Sequence, residues 1–207
     1  MDSHKNVPAS LRVVEDARHP LRAAHWVKTF RLGHLLLVET EGKERKTITE
    51  LIVQLALRGT YNLIAGDEWL PDRDTLYRFT RRYTVKVKET LDRPKLVRPM
   101  TCLQLLDLLI ETDKQNRPTL ITNFLHHFYN DLELPLRDRI LEQCCQYARR
   151  LSLSNPVVVL VPRLPTDEYR RFFPVIASVA DEIIPVGENP VTRASQSRFL
   201  LGGVHGF

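Results

Sequence analysis

The chain has 207 residues, of which 43% are hydrophobic, and its 30 basic and 25 acidic side chains give a net charge of +5. This is enough chain for one sizeable core, and the small positive excess suits an anionic partner without requiring one. No stretch reaches the ~20 apolar residues of a membrane span, and the polar start lacks the apolar segment of a signal peptide, so we expect no membrane association.

The three cysteines are Cys102 and the neighbouring Cys144 and Cys145. They have neither the spacing of a zinc site nor the even number of a disulfide framework. Buried free thiols in a reducing compartment explain them best, and we therefore predict a cytoplasmic protein without a bound metal.

Apolar runs of strand length alternate with helical patterns from about residue 34 onward, which predicts an α/β fold with a mostly parallel central sheet and helices on both faces. In chain order the predicted strands are HLLLVE, TYNLIAG, KLVRP, PTLITNFL, NPVVVLVP and DEIIPV. We divide the chain into an N-terminal arm over 1–30, a core domain over 31–188 and a C-terminal tail over 189–207 that could add an edge strand.

The helical patterns lie between these strands. The first ends at Gly59, the second opens at Pro71, and Thr101 is placed to cap the third. In the second helix, Leu76, Phe79 and Tyr83 share one side. The other side largely carries Arg78, Arg81 and Arg82, which we interpret as a solvated face. The pattern TDEYRRFFPVIASVA is helical but is interrupted by Pro174.

In an open α/β sheet, ligands bind beyond the carboxyl ends of the strands, so polar residues just after each strand are the candidates for function. Four segments qualify: TEGKERKT after the first strand, GDEWLPDR after the second, Asn123 in the fourth, and PRLPTDEYRR after the fifth.

With these segments in this order, the chain resembles the core of the RecA/RadA family of recombinases from about Leu35 to Val186. The resemblance implies a phosphate-binding loop in which Lys46 and Thr47 match the lysine and the magnesium-binding hydroxyl. It also implies that Asp67, or its neighbour Glu68, corresponds to the carboxylate that orients the attacking water. PTLITNFL has the form of the second nucleotide-binding motif, and Asn123 stands where that motif has an aspartate.

The departures from the family pattern lie in the same site. Thr40 and Arg45 occupy the two glycine positions of the loop, where side chains obstruct the converging N–H groups that hold phosphate. Asn123 is neutral and a poorer magnesium ligand than aspartate. We therefore predict a vestigial nucleotide site without a cofactor, and expect ATP and Mg²⁺ only if the site is still competent. The alternative is that Lys46 and Thr47 are ordinary residues of a first helical turn, and that Asp67 and Glu68 favour a helix start.

In the family, the loops beyond strands four and five face DNA. The resemblance therefore implies a non-catalytic RecA-like subunit that acts in DNA binding, recombination, repair or replication, with a protein partner or as part of an oligomer. The candidate DNA-facing residues are Arg163, Arg170, Arg171, His126, His127 and Tyr129. Two alternatives stay open: an active DNA-dependent ATPase with an unusual loop, and a purely structural subunit of a larger assembly.

Overall fold

The computed structural model describes residues 31–41, 45–66, 70–112, 117–129 and 134–186. Within them, six strands form one sheet in the order β3-β2-β4-β5-β1-β6, and every pairing is parallel. The strands are β1 Leu35–Glu41, β2 Tyr61–Ala65, β3 Pro94–Val97, β4 Thr119–Thr122, β5 Val157–Arg163 and β6 Glu182–Val186.

Helices connect successive strands, as a parallel sheet requires. They are α1 Arg45–Arg58, α2 Arg73–Thr80, α3 Val87–Leu91, α4 Cys102–Thr112, α5 Leu134–Ser154 and α6 Asp167–Ala177, with a short 3₁₀ turn at His126–Phe128. The predicted N-terminal arm and C-terminal tail lie outside the described residues.

The sheet carries a hydrophobic core on each face. Successive side chains of a strand point to opposite faces. In β1, Leu35 and Leu37 pack with residues of α4, α5 and α6, whereas Leu36 and Val38 pack with residues of α1. The three cysteines are free and buried in the first of these cores. The predicted fold class, α/β with a parallel central sheet and helices on both faces, is confirmed, and this architecture is consistent with a RecA-like fold.

Helix α2 differs in detail from the prediction. It begins at Arg73 rather than Pro71, because the Asp72 side chain accepts a hydrogen bond from the backbone N–H of Thr75 and so caps the helix. It ends at Thr80, so Tyr83 lies in the following turn, and the short helix α3 after it was not predicted.

Pro174 does not interrupt α6, which continues to Ala177. A proline removes one N–H from the helical ladder, and here it does so in the second half of the helix. The Ser178 N–H still donates to the Pro174 carbonyl, and the opposite end is capped by Thr166, whose hydroxyl accepts from the Tyr169 N–H. The two caps and the buried face formed by Tyr169, Phe172 and Ile176 hold the helix together.

Candidate functional site

The connection between β1 and α1 is where the phosphate-binding loop was predicted. Thr40 is 3% exposed and lies inside strand β1, where it pairs with Pro162 of β5 and Val186 of β6. The strand continues to Glu41, and α1 begins at Arg45. Both positions where a phosphate loop has glycine therefore belong to regular secondary structure. Residues 42–44 between them lie outside the described residues.

The predicted phosphate-binding residues follow directly in α1. Lys46 is exposed in its first turn, and the side chain of Thr47 lies outside the described residues. Asp67 and Glu68, the predicted catalytic carboxylates, also lie outside them. The described part of the chain thus places Lys46 at the start of a helix beside the carboxyl end of β1.

The ends of β2 and β4 meet through a close backbone contact. The Gly66 N–H donates to the Thr122 carbonyl at 2.8 Å, and a Cβ atom on Gly66 would lie 2.3 Å from the Asn123 carbonyl oxygen. Asn123 has a left-handed backbone with φ of 49°, which stops β4 at Thr122. Its side chain is buried, so the predicted site residue lies within the protein at the junction of the two strands.

The carboxyl end of β1 is tied to α6 by a carboxylate that sequence reasoning missed. The Tyr169 hydroxyl donates to Glu39 Oε1 at 2.5 Å, and Arg163 Nε lies 3.5 Å from the same oxygen. Burial, with a further contribution from the bond to Glu39, raises the pKa of Tyr169 above its usual range. Glu39 was detectable in principle, because it continues the face of β1 that begins with Leu35 and Leu37.

An aromatic cluster joins the turn after β4 to α6. The ring of Tyr129 stacks on buried Phe172 with centroids 6.3 Å apart, and the Arg137 guanidinium lies 5.0 Å from the centre of the Phe172 ring. Arg137 also donates to the Tyr129 carbonyl at 3.0 Å. Burial raises the pKa of Tyr129 to about 12. Tyr129, a predicted DNA-facing residue, is therefore half-buried and packed rather than projecting.

The two neighbouring histidines have different surroundings. His126 is exposed, whereas His127 is buried, and their rings are nearly perpendicular with centroids 5.3 Å apart. Only His126 is therefore accessible to a partner in this conformation.

The other predicted DNA-facing residues lie at the carboxyl end of β5 and in the first turns of α6. We call Arg163, Arg170 and Arg171 the carboxyl-edge arginines. Their side chains are 53%, 74% and 46% exposed. Each lies near a carboxylate: Glu39 for Arg163, Asp167 for Arg170 and Asp138 for Arg171. Ion pairs this exposed contribute little to stability, so the guanidinium groups can exchange these partners for phosphate.

Two further observations concern only the described residues. Their His, Cys, Asp and Glu side chains form no group of three or more that could hold a metal ion. None of their helices combines the length and apolarity needed to cross a membrane.

Comparison with known proteins adds no family assignment: no protein-family model matches the chain, and no curated protein matches it significantly.

Proposed function

We propose that the protein is a cytoplasmic, non-catalytic RecA-like subunit that binds DNA within a complex acting in recombination, repair or replication. The absence of catalysis in this proposal is supported by the secondary structure at Thr40 and Arg45, which lie in β1 and α1. A phosphate loop surrounds its ligand with converging backbone N–H groups, and this needs several residues outside strand and helix. Here the strand β1 and the helix α1 occupy both glycine positions.

The second motif supports the same conclusion. Asn123 stands where the resemblance implies a magnesium-binding aspartate, and its side chain is buried beside the Gly66 contact. An amide supplies a neutral oxygen in place of a carboxylate charge, and Mg²⁺ prefers the carboxylate. Residual nucleotide binding through Lys46 would therefore lack a strong metal ligand from β4.

The carboxyl-edge arginines support the DNA-binding part. They extend from the end of β5 along the first turns of α6, at the edge of the sheet where parallel folds bind ligands. Arginine neutralises phosphates and releases their counterions, which supplies most of the sequence-independent affinity for DNA. Exposed His126 lies on the turn after the neighbouring strand β4 and extends the same edge.

Membership of a complex is supported by strand β3, which forms one lateral edge of the described sheet. Among the described strands, β3 pairs only with β2, and large apolar side chains are exposed in and after it: Leu96, Val97, Met100 and Leu103. An edge strand with exposed apolar side chains is typical of a surface that a protein partner covers. This observation equally favours the second candidate function, a purely structural subunit without DNA contact.

We expect the purified protein to bind no ATP at cellular concentrations of ATP and Mg²⁺, and to hydrolyse none. Isothermal titration with ATP and Mg²⁺, with an active RecA-like ATPase as positive control, measures this directly. Binding that Lys46→Ala abolishes would contradict the proposal and favour the active ATPase.

We also expect the triple variant Arg163→Gln, Arg170→Gln, Arg171→Gln to bind single-stranded DNA at least about tenfold more weakly than the parent. Three lost phosphate contacts should make the slope of log affinity against log salt shallower by about 2. Fluorescence anisotropy at several salt concentrations measures both quantities.

The control variant Arg31→Gln, Arg117→Gln, Arg150→Gln removes the same charge from exposed positions near the amino ends of the strands. Equal losses in the two triple variants would mean that only net charge matters, and the assignment to the carboxyl edge would then be wrong. A parent that joins a complex but binds no DNA would favour the structural subunit.

A further inference from the structure

Helix α2 and the turn after it carry a dense group of basic and aromatic side chains that the proposed function does not use. Between Tyr77 and Lys88 the chain has five basic residues and no acidic one. The basic residues are Arg78, Arg81, Arg82, Lys86 and Lys88, and all five are exposed. Helices α2 and α3 contact α1. The group therefore belongs to the α1 side of the sheet, whereas α6 and its arginines belong to the other side.

The geometry of α2 presents these side chains on one surface. Residues four apart on a helix lie one above the other. The Arg81 N–H donates to the Tyr77 carbonyl, which extends this geometry one residue past Thr80, so Tyr77 and Arg81 form one row. Arg82 follows in the turn, where its N–H donates to the Phe79 carbonyl. The opposite side of the helix is anchored, because Thr80 is buried and Leu76 packs against the core. We call the exposed residues Tyr77, Arg78, Arg81, Arg82 and Tyr83 the α2 surface.

Aromatic side chains of the α2 surface are accessible to a ligand. Tyr77 is 46% exposed and Tyr83 is 37% exposed. The Arg82 guanidinium lies 5.4 Å from the centre of the Phe79 ring, and Phe79 in turn contacts Tyr83 with ring centroids 5.7 Å apart. A guanidinium placed on an aromatic ring is itself a flat surface on which a nucleobase stacks.

The positive charges of the α2 surface are mostly uncompensated. Among the described residues, neither Arg81 nor Arg82 forms an ion pair. Arg78 donates to the Asp74 carbonyl, and it is partly compensated by Asp72, whose pKa is lowered mainly by hydrogen bonds from Thr75 and to a smaller extent by the charge of Arg78. Arginines at a helix C-terminus are favoured by the helix dipole, which accounts for part of this charge. The dipole does not account for the exposed tyrosines among the arginines.

We propose that the α2 surface is a second nucleic-acid contact that binds single-stranded DNA or RNA. Cations that track the backbone, interleaved with aromatic faces on which bases stack, are the chemistry of single-strand recognition. The same cations could neutralise the phosphates of a duplex. The bases of a duplex are stacked on one another, however, so their faces are not accessible to the tyrosines. An acidic protein would use the arginines and leave the tyrosines without a role. The residues differ from the carboxyl-edge arginines, so the inference goes beyond the proposed function and can fail separately from it.

The first experiment measures binding of a short oligothymidylate to the triple variant Arg78→Gln, Arg81→Gln, Arg82→Gln. Glutamine removes the charge but keeps part of the aliphatic stem and a similar helix propensity. We expect affinity to fall by at least about tenfold and the salt slope to become shallower by about 2, whereas the Arg31, Arg117 and Arg150 control loses less. Thermal unfolding checks that each variant is folded.

The second experiment tests the aromatic contribution with Tyr77→Ser and the matched Tyr77→Phe. We expect Tyr77→Ser to weaken binding of the oligothymidylate several-fold, and Tyr77→Phe to bind like the parent, because only the ring is needed for stacking. With an abasic strand of the same length, the two variants should bind alike. If thymidylate, the abasic strand and polyglutamate all bind equally to the parent, the α2 surface is a general anion surface and the proposal is wrong.

The two triple variants separate the two proposals. If the α2 variant binds the oligothymidylate like the parent and the carboxyl-edge variant does not, the inference on the α2 surface is wrong and the proposed function stands. If the α2 variant alone loses binding, the inference stands and the carboxyl-edge assignment is wrong. If neither variant differs from the parent, both assignments are wrong.

Discussion

We expect Phe172→Ala to lower the free energy of unfolding by about 3–5 kcal/mol, the usual cost of removing a buried aromatic side chain. Phe172 is buried between Tyr129 and the guanidinium groups of Arg137 and Arg171. Its removal leaves a cavity and also takes away the ring on which both arginines rest. Urea unfolding followed by circular dichroism measures the change, and a coincident transition in tryptophan fluorescence checks that unfolding is two-state.

Phe172→Leu is the matched control for this variant. Leucine keeps most of the buried apolar volume but has no aromatic face, so the loss should be smaller, about 1–2 kcal/mol. DNA affinity should fall in both variants if the ring positions Arg171, and only in the alanine variant if volume alone matters. A loss below about 1 kcal/mol for Phe172→Ala would contradict the packing described for this cluster.

The second large effect is expected at Gly66. A Cβ atom there would lie 2.3 Å from the Asn123 carbonyl oxygen and 2.7 Å from that of Thr122. Both obstacles are backbone atoms, so Gly66→Ala must separate the ends of β2 and β4 rather than displace a flexible side chain. We expect a loss of about 2–3 kcal/mol in the free energy of unfolding, at the upper end of the cost of overpacking, again measured in urea.

Gly33→Asn is the control for the Gly66 substitution. Gly33 has a positive φ of 77°, and a Cβ atom there meets nothing within 4 Å. Asparagine tolerates the left-handed region, so this change should cost much less than Gly66→Ala. Equal losses at the two positions would mean that the loss of glycine itself, and not the contact with Asn123, determines the effect.

All six predicted strands are present, because each is an apolar run bounded by residues that favour turns or helices. The prediction was poorest where a tertiary contact overrides a local pattern. The segment PTLITNFL ends in two apolar residues, which favours a strand that continues to its end. Strand β4 nevertheless stops at Thr122, and Asn123 turns the chain beside Gly66. Phe124 and Leu125 are buried all the same, as part of a turn. Hydrophobicity therefore predicted their burial but not their secondary structure.

The candidate site was predictable as a set of positions but not as a set of contacts. The rule that ligands bind at the carboxyl edge led to Arg163, Arg170 and Arg171. It did not lead to the bond between Glu39 and Tyr169, which are 130 residues apart. Nor did it separate exposed His126 from buried His127, because neighbouring residues of one type have no distinguishing local pattern.

The position of β1 in the sheet has a consequence for the synthesis of this protein. Strand β1, the first of the described strands, pairs with β5 and β6, the last two, and not with β2. Its apolar side chains therefore gain their strand neighbours only after most of the chain has been translated. Pairings this distant along the chain slow folding and prolong the exposure of unpaired strands. We therefore expect the nascent chain to need chaperone protection of the LLLV segment until the second half of the core is complete.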